Sequence, residues 1–220
     1  MDEKDVDGQY GTWLSGRSPV ALYVRWYLRH RKPREAGELW EQIGTGVFPK
    51  VLDAGCAGGF YLLDAYERGQ GTSMLAGVDL SDTLLAEARS RLESVSAHIS
   101  VRLMRASATK LPFGEASFDV VLSNGMVKYL DDGALERFVS EAGRVLVSGG
   151  RLCVAEFGRP VGWGKHVSLA RLGIPMEHLR TAEELACVLA GAGFVDVRGF
   201  DIARIRRIPL TFEGSVGTRP

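Results

Sequence analysis

Two acids stand at the ends of short apolar runs: Asp53 in Lys50-Val-Leu-Asp-Ala54 and Asp79 in Met74-Leu-Ala-Gly-Val-Asp79. Just past the first lies a glycine cluster, Gly55-Cys56-Ala57-Gly58-Gly59. Glycine lets a backbone turn sharply and lets a ligand approach the main chain closely. Asp79 follows Gly59 by 20 residues. An acid at that place can accept two hydrogen bonds from the hydroxyls of a ribose. The plainer alternatives are a tight strand-to-helix turn without a ligand and, for Asp79, a helix-entry acid beside Ser81. The dinucleotide fingerprint G-x-G-x-x-G, laid on Gly55, demands glycine at 57 and 60. Ala57 and Phe60 stand there, so a nicotinamide site fits poorly.

Positioning these residues takes an alternation of strands and helices. Strands are expected at 50–54, 74–79, 99–104, 118–123 and 151–156. Two last strands are expected at 194–197 and over Ile208, Leu210 and Phe212. Ser81 can cap a helix whose Leu84, Leu85, Ala88 and Leu92 share a face. Leu135, Phe138, Val139, Ala142 and Leu146 predict a helix stopping at Gly149-Gly150. Thr181 and Glu184 form a capping box for a helix to Ala190. Upstream, Ser18-Pro19 opens a helix that Pro33 ends, and a short helix covers Glu35 to Ile43. Such alternation predicts a mainly parallel sheet with helices on both faces. Ligands then bind outside the carboxyl ends of the strands, after residues 54, 79, 104, 123 and 156.

The chain has 220 residues, enough for a full core without disulfides or metal. Lys plus Arg and Asp plus Glu each count 27. That balance argues against a nucleic-acid or anionic-membrane binder. No apolar run reaches the ~18 residues of a membrane span. The acidic start is unlike a signal peptide. The three cysteines, Cys56, Cys153 and Cys187, have no metal-ligand spacing, so no metal site is expected. Cys56 is expected to pack, and Cys153 and Cys187 to lie on a buried strand and helix face. A cytoplasmic protein fits these features. One domain is expected, with residues 1–44 a helical cap segment and 45–220 the body. Oligomeric state is not legible.

Three motifs in order carry a resemblance: Val51-Leu-Asp-Ala-Gly-Cys-Ala-Gly-Gly59, Gly77-Val-Asp-Leu-Ser81 and Leu111-Pro-Phe-Gly-Glu-Ala-Ser-Phe-Asp-Val-Val121. They resemble the class I S-adenosylmethionine-dependent methyltransferases, in particular the small-molecule branch. The resemblance implies an α/β, Rossmann-like, doubly wound sheet of seven strands, mostly parallel with one antiparallel strand, under an N-terminal helical cap. It implies S-adenosyl-L-methionine as cofactor. Gly55, Cys56, Ala57 and Gly59 would contact its methionine end through backbone, with Asp53 near the ammonium. Asp79 would take the ribose and Leu80 pack on the adenine. Ser107 and Ala108 stand where the family often has an acid and its neighbour facing the adenine amino group. Serine is shorter and uncharged, so that contact is weaker. Asn124 and Gly125 follow the fourth strand on the cofactor side. Ser123-Asn-Gly-Met-Val-Lys-Tyr129 lacks the Asn/Asp-Pro-Pro-aromatic motif of nucleic-acid amino methylation, and Lys128 takes a place where several relatives have histidine.

Methyl transfer is an in-line displacement, and a base is needed only if the acceptor must lose a proton. Three side chains qualify as catalytic candidates: His166 in the glycine-rich stretch 158–166, Glu156 at a strand end, and Tyr129. Each has a structural reading: a surface histidine, a hydrogen-bonded partner of the Asp53 loop, and loop packing. His178 is expected to be structural, and His30 and His98 lie away from the ligand edge. Trp13, Tyr23, Trp26 and Tyr27 are candidate pocket walls. The basic stretch 25–34 reads as a solvated helix face. The reading is methyl transfer to oxygen or nitrogen of a small molecule, carbon being the lesser option. Alternatives are a cofactor-binding protein that does not methylate and a nicotinamide oxidoreductase. Arg outnumbers Lys by 21 to 6, which hints at a GC-rich genome and specialised metabolism.

Overall fold

A computed structural model describes residues 22, 32–44, 46–68, 71–158, 177–202 and 212–220. Helix α1 spans Lys32–Ile43 and strand β1 Lys50–Ala54; α2 is Phe60–Glu67, β2 Met74–Asp79, α3 Asp82–Arg91 and α4 Glu93–Ser96. Strand β3 is Ser100–Arg105 and β4 Phe118–Asn124. A 3-10 turn at Val127–Tyr129 leads to α5, Asp132–Val145. Then come β5, Leu146–Phe157; α6, Ala182–Gly191; β6, Val195–Ile202; and β7, Phe212–Thr218.

The seven strands form one sheet in the order β3-β2-β1-β4-β5-β7-β6. The first five run parallel, and β7 is antiparallel to both of its neighbours. The order reverses between β1 and β4, where the carboxyl ends open a crevice. Central strands are buried on both faces and read as continuous apolar runs, as in Phe118-Asp-Val-Val-Leu. On one face α1, α2 and α3 supply Leu39, Trp40, Leu62 and Leu85 to a core with Val51 and Leu122. On the other, α5 and α6 supply Phe138, Val139, Leu185 and Leu189, packed on Leu52 and Val121. No helix among the described residues is long and apolar enough to cross a membrane.

Several elements depart from expectation. Helix α1 starts at Lys32, and Pro33 sits inside its first turn, where no helical N–H is needed. The preceding helix and the candidate walls Trp13, Tyr23, Trp26 and Tyr27 lie outside the described residues. Helix α5 ends at Val145, not at Gly149-Gly150. Pairing of Leu146 with Phe118 draws the chain into the sheet, and Gly149, at φ 78°, serves an irregularity in β5. The last strand is described over Phe212–Thr218 and includes Phe212 of the expected alternation; 208 and 210 lie outside the described residues. Gly214 and Gly217 disguise this strand. A Cβ at Gly214 would collide with the Val154 carbonyl and with the Phe200 ring at 2.6 Å. Cys187 is exposed rather than buried. Leu185 and Leu189 form the buried stripe of α6, and Cys187 lies two residues from each, on the opposite face. Burial raises the Cys153 thiol far above its ordinary range.

Candidate active site

The crevice is framed by the turn after β1, the end of β2 and the turn after β4. Asp53 is buried at the carboxyl end of β1. Beyond it the backbone takes left-handed φ at Gly55 (82°), Ala57 (43°) and Gly59 (72°). For alanine that conformation costs on the order of 1 kcal/mol, which the surrounding bonds must offset. Gly55 and Cys56 N–H both donate to the Val78 carbonyl, at 2.8 and 3.0 Å. Ala57 N–H donates to Asp79 Oδ2 at 2.9 Å, and Ser81 N–H donates to Asp79 Oδ1 at 2.9 Å. One carboxylate thus stitches the glycine turn to the β2–α3 turn. A carboxylate has about four acceptor positions, more than these two amides use. Ser81 also caps α3, accepting from Leu84 N–H at 3.2 Å.

Glycine at 55 answers to a neighbouring loop: a Cβ there would lie 2.7 Å from Met126. Cys56 is buried, and its sulfur fills the space above Gly77, 2.7 Å from where a Cβ would sit. Arg91 donates to the Gly58 carbonyl and ties α3 to the same turn. The Leu80 carbonyl accepts from Arg105 at 2.9 Å, while Leu80 itself remains half-buried. Ser107 folds onto its own turn: its Oγ lies 2.9 Å from Thr109 Oγ1 and accepts from Thr109 N–H at 3.3 Å. Ala108 is buried beside it.

After β4, Gly125 N–H donates to the Ala155 carbonyl at 2.9 Å, and Asn124 Nδ2 donates to the Tyr61 hydroxyl. Glu156, wholly buried, accepts from Lys128 N–H at 3.0 Å, Phe157 N–H at 2.8 Å and Lys128 Nζ at 3.3 Å. Lys128 Nζ also donates to the Gly125 carbonyl and lies 4.7 Å from the centre of the half-buried Tyr129 ring. Sequence reasoning paired Glu156 with the Asp53 loop; the carboxylate binds the post-β4 turn instead. Arg180, also buried, closes the turn from the other side. It donates to the carbonyls of Val127 (3.3 Å), Leu130 (2.9 Å) and His178 (2.9 Å), and to Asp132 Oδ1 at 2.8 Å. Hydrogen bonding to Arg180, then its charge, holds the Asp132 carboxyl below its ordinary pKa.

The structure therefore brings together Asp53, Gly55, Cys56, Ala57, Gly59, Asp79, Leu80, Asn124 and Gly125, with Ser107 and Ala108 after β3. Tyr129 and Glu156 adjoin through Lys128. His166 lies outside the described residues. Tyr61 and Arg180 escaped the sequence reading. Tyr61 has a signal in its place just after the glycine turn, whereas an arginine before a helix cap reads as solvated surface. A groove of about 800 Å³ between α5 and α6, lined by Arg144, Cys187 and Phe194, lies at the amino ends of the strands and is separate. No cluster among the described residues could hold a metal ion.

This fold and this edge define a nucleotide-cofactor-binding α/β protein. Residues 51–150 match the family described as "Methyltransferase domain". A probable S-adenosylmethionine-dependent methyltransferase of Mycobacterium tuberculosis is 33% identical over 175 residues, covering 76% of this chain and 57% of that protein. Demethylmenaquinone methyltransferase of Thermus thermophilus is 35% identical over 112 residues, covering 50% of this chain and 48% of that one. Geranyl diphosphate C-methyltransferase of Streptomyces coelicolor superposes with a TM-score of 0.70 at 18% identity, covering 96% of this chain and 88% of that structure, a likeness of fold. The chain carries a methyltransferase domain over residues 51–150 and is similar to S-adenosylmethionine-dependent methyltransferases. It spans about half the length of the curated relatives it matches, 44% to 57% of the first three.

Proposed function

We propose that this chain binds S-adenosylmethionine across the carboxyl edge of β1, β2 and β4 and transfers its methyl group to an oxygen or nitrogen atom of a small molecule. The observation that carries the reading is the Asp79 bridge. It holds the glycine turn and the β2–α3 turn at one carboxylate, which would serve a ribose bound between them. When bound, the sulfonium supplies an electrophilic methyl carbon. Asp53 faces the cofactor's amino-acid end and offsets its ammonium. Asp79 accepts from ribose hydroxyls, with the Gly55–Gly59 backbone following the cofactor's length. Leu80 and Ala108 offer apolar contact to the adenine. Ser107, already bonded to Thr109, adds a single neutral polar contact.

Glu156 and Lys128 act here as a mutual anchor for the post-β4 turn. Glu156 is wholly buried and already accepts from two amides and an ammonium, so it is committed to the turn and not presented to an acceptor. That leaves His166 as the candidate base, with Tyr129 as a wall for the acceptor. The His166→Ala variant is expected to slow turnover about a hundredfold or more at unchanged cofactor affinity. Full activity would remove it from the reaction.

The experiment is incubation of the purified protein with methyl-labelled cofactor and a panel of phenols, amines and quinols, demethylmenaquinol among them. Label in a product supports transfer, and NMR of that product identifies the methylated atom. The quinone and geranyl diphosphate relatives make carbon the outcome that would overturn the oxygen or nitrogen assignment. Tight binding with no transfer to any acceptor would favour a cofactor-binding role without methylation.

A further inference from the structure

A buried ammonium stands at the carboxyl edge between β4 and β5. Lys128 belongs to the 3-10 turn after β4, and its Nζ lies 3.3 Å from Glu156 Oε1 near the end of β5. Nζ also lies 4.7 Å from the centre of the Tyr129 ring and 5.3 Å from that of Phe157, the last residue of β5. A Cβ on Gly125 would come within 3.6 Å of it. Glu156 is wholly buried, whereas Tyr129 and Phe157 are half-buried, so the positive end of the pair is the end that reaches the partly exposed rings. A second buried cation, Arg180, reaches the same turn through the Val127 and Leu130 carbonyls. Its partner Asp132 is solvent-exposed, where water and salt screen a charge. The interior of the turn thus holds two cations and one carboxylate. Asp53, which lies in the neighbouring strand β1, is the acid across the crevice.

This imbalance bears on the acceptor. A positive charge within about 4–6 Å favours the ionised form of a hydroxyl and disfavours a second cation. Methylating an amine places positive charge on nitrogen, whereas methylating an oxyanion removes charge. Tyr129 and Phe157 already have an ammonium beside them, which suits them to stacking on a flat ring more than to receiving another cation.

We propose that Lys128 sets the acceptor class of the site: a hydroxyl on an aromatic ring, bound as its oxyanion beside Tyr129 and Phe157, in preference to an amine. The proposal rests on the methyl-transfer reading above and chooses oxygen within it. On binding, the hydroxyl proton leaves to water or to His166. The oxyanion then forms a C–O bond to the methyl carbon as the C–S bond breaks. The electron pair of that bond stays on sulfur, and the product is a neutral ether. Lys128 keeps its protons throughout.

The probe is 4-nitrophenol, whose oxyanion absorbs visible light, titrated on protein saturated with S-adenosylhomocysteine. Its ionisation midpoint on the wild-type protein is expected about one pH unit below that of the free phenol, the low end of an opposite-charge shift because Glu156 offsets part of the field. Lys128→Met combined with Glu156→Gln removes both charges together and so strands neither. In that variant the midpoint should return to the free value or rise above it. Lys128→Arg should keep the lowered midpoint. 4-Nitroaniline, the same ring without an acidic hydroxyl, should bind the wild type about tenfold more weakly than the nitrophenolate, and the doubly neutral variant should lose that preference. An unshifted or raised midpoint on the wild type, the same shift in the doubly neutral variant, equal binding of the aniline, or no binding of the phenol would each overturn the proposal. A variant that loses S-adenosylhomocysteine binding is misfolded, and the wild-type midpoint then decides alone. A lowered midpoint with no label transferred to any acceptor would refute methyl transfer and leave the ligand class standing. A wild type that does not bind S-adenosylhomocysteine would refute the cofactor reading itself.

Discussion

A single carboxylate joins the two turns that frame the site. Asp79 accepts from Ala57 N–H and Ser81 N–H, and it is the residue proposed to take the ribose. Asp79→Ala is expected to lower S-adenosylhomocysteine affinity about tenfold to a hundredfold by calorimetry, through lost charge-assisted bonds and a loosened turn. Unchanged affinity would remove Asp79 from the site. Glu141 tests a second carboxylate. It pairs with Arg144 at 2.7 Å and accepts from Leu111 N–H at 2.8 Å, pinning the loop between β3 and β4. Hydrogen bonding to Arg144 lowers its pKa below the ordinary 4.5, outweighing the desolvation that would raise it. A depressed folded pKa contributes stability above the unfolded value and loses it as pH falls through the folded one. Denaturant melts should thus find Glu141→Gln about 1–2 kcal/mol less stable near neutral pH. The gap should close below about pH 4.5. A pH-independent gap would mean that the carboxylate charge is irrelevant.

At the scale of elements, the 3-10 turn at Val127–Tyr129 is held by two buried groups of opposite charge. Glu156 grips it through Lys128, and Arg180 takes its carbonyls. Arg180→Met strands the carbonyls of Val127, Leu130 and His178 and is expected to cost about 2–4 kcal/mol in chemical denaturation. Arg180→Lys should recover little of it, since an ammonium cannot span those acceptors as a planar fork does. Asp132→Asn should leave Tm almost unmoved, because that carboxylate is solvent-exposed. A large loss there, with a small one at Arg180, would reverse the hierarchy. Motif reading had no access to this arrangement. Thr181 and Glu184 announce their capping box by spacing, and the structure has it, with Glu184 N–H donating to Thr181 Oγ1 at 3.2 Å. Apart from the His178 carbonyl, the acceptors of Arg180 come from residues about 50 positions away.

At the scale of the whole molecule, β7 enters antiparallel between β5 and β6 and closes that end of the sheet. Gly214 makes room for it against the Val154 carbonyl and the Phe200 ring. Gly214→Ala should cost about 2–3 kcal/mol by overpacking a buried seam. Gly191→Ala, at the end of α6 with open space around it, should be neutral or gain up to about 1 kcal/mol through helix propensity. Thermal melts of the two variants side by side would check this, and equal effects would mean that close approach is not what Gly214 supplies.

The parallel strands, the caps at Ser81 and Thr181 and the Asp53–Gly59 and Asp79 motifs were all legible because each is written within a few adjacent residues. Periodicity, capping pairs and glycine turns are local physics, and they suffice to locate a ligand edge. The fate of Glu156, the Tyr61–Asn124 bond, the reach of Arg180 and the run of β7 depended on partners distant in sequence. Only tertiary packing brings those groups within hydrogen-bond range, and burial there leaves each polar atom few other partners. The sequence alone thus determined which turns stand at the carboxyl edge of the sheet. The fold decided which polar side chains at that edge the protein itself holds.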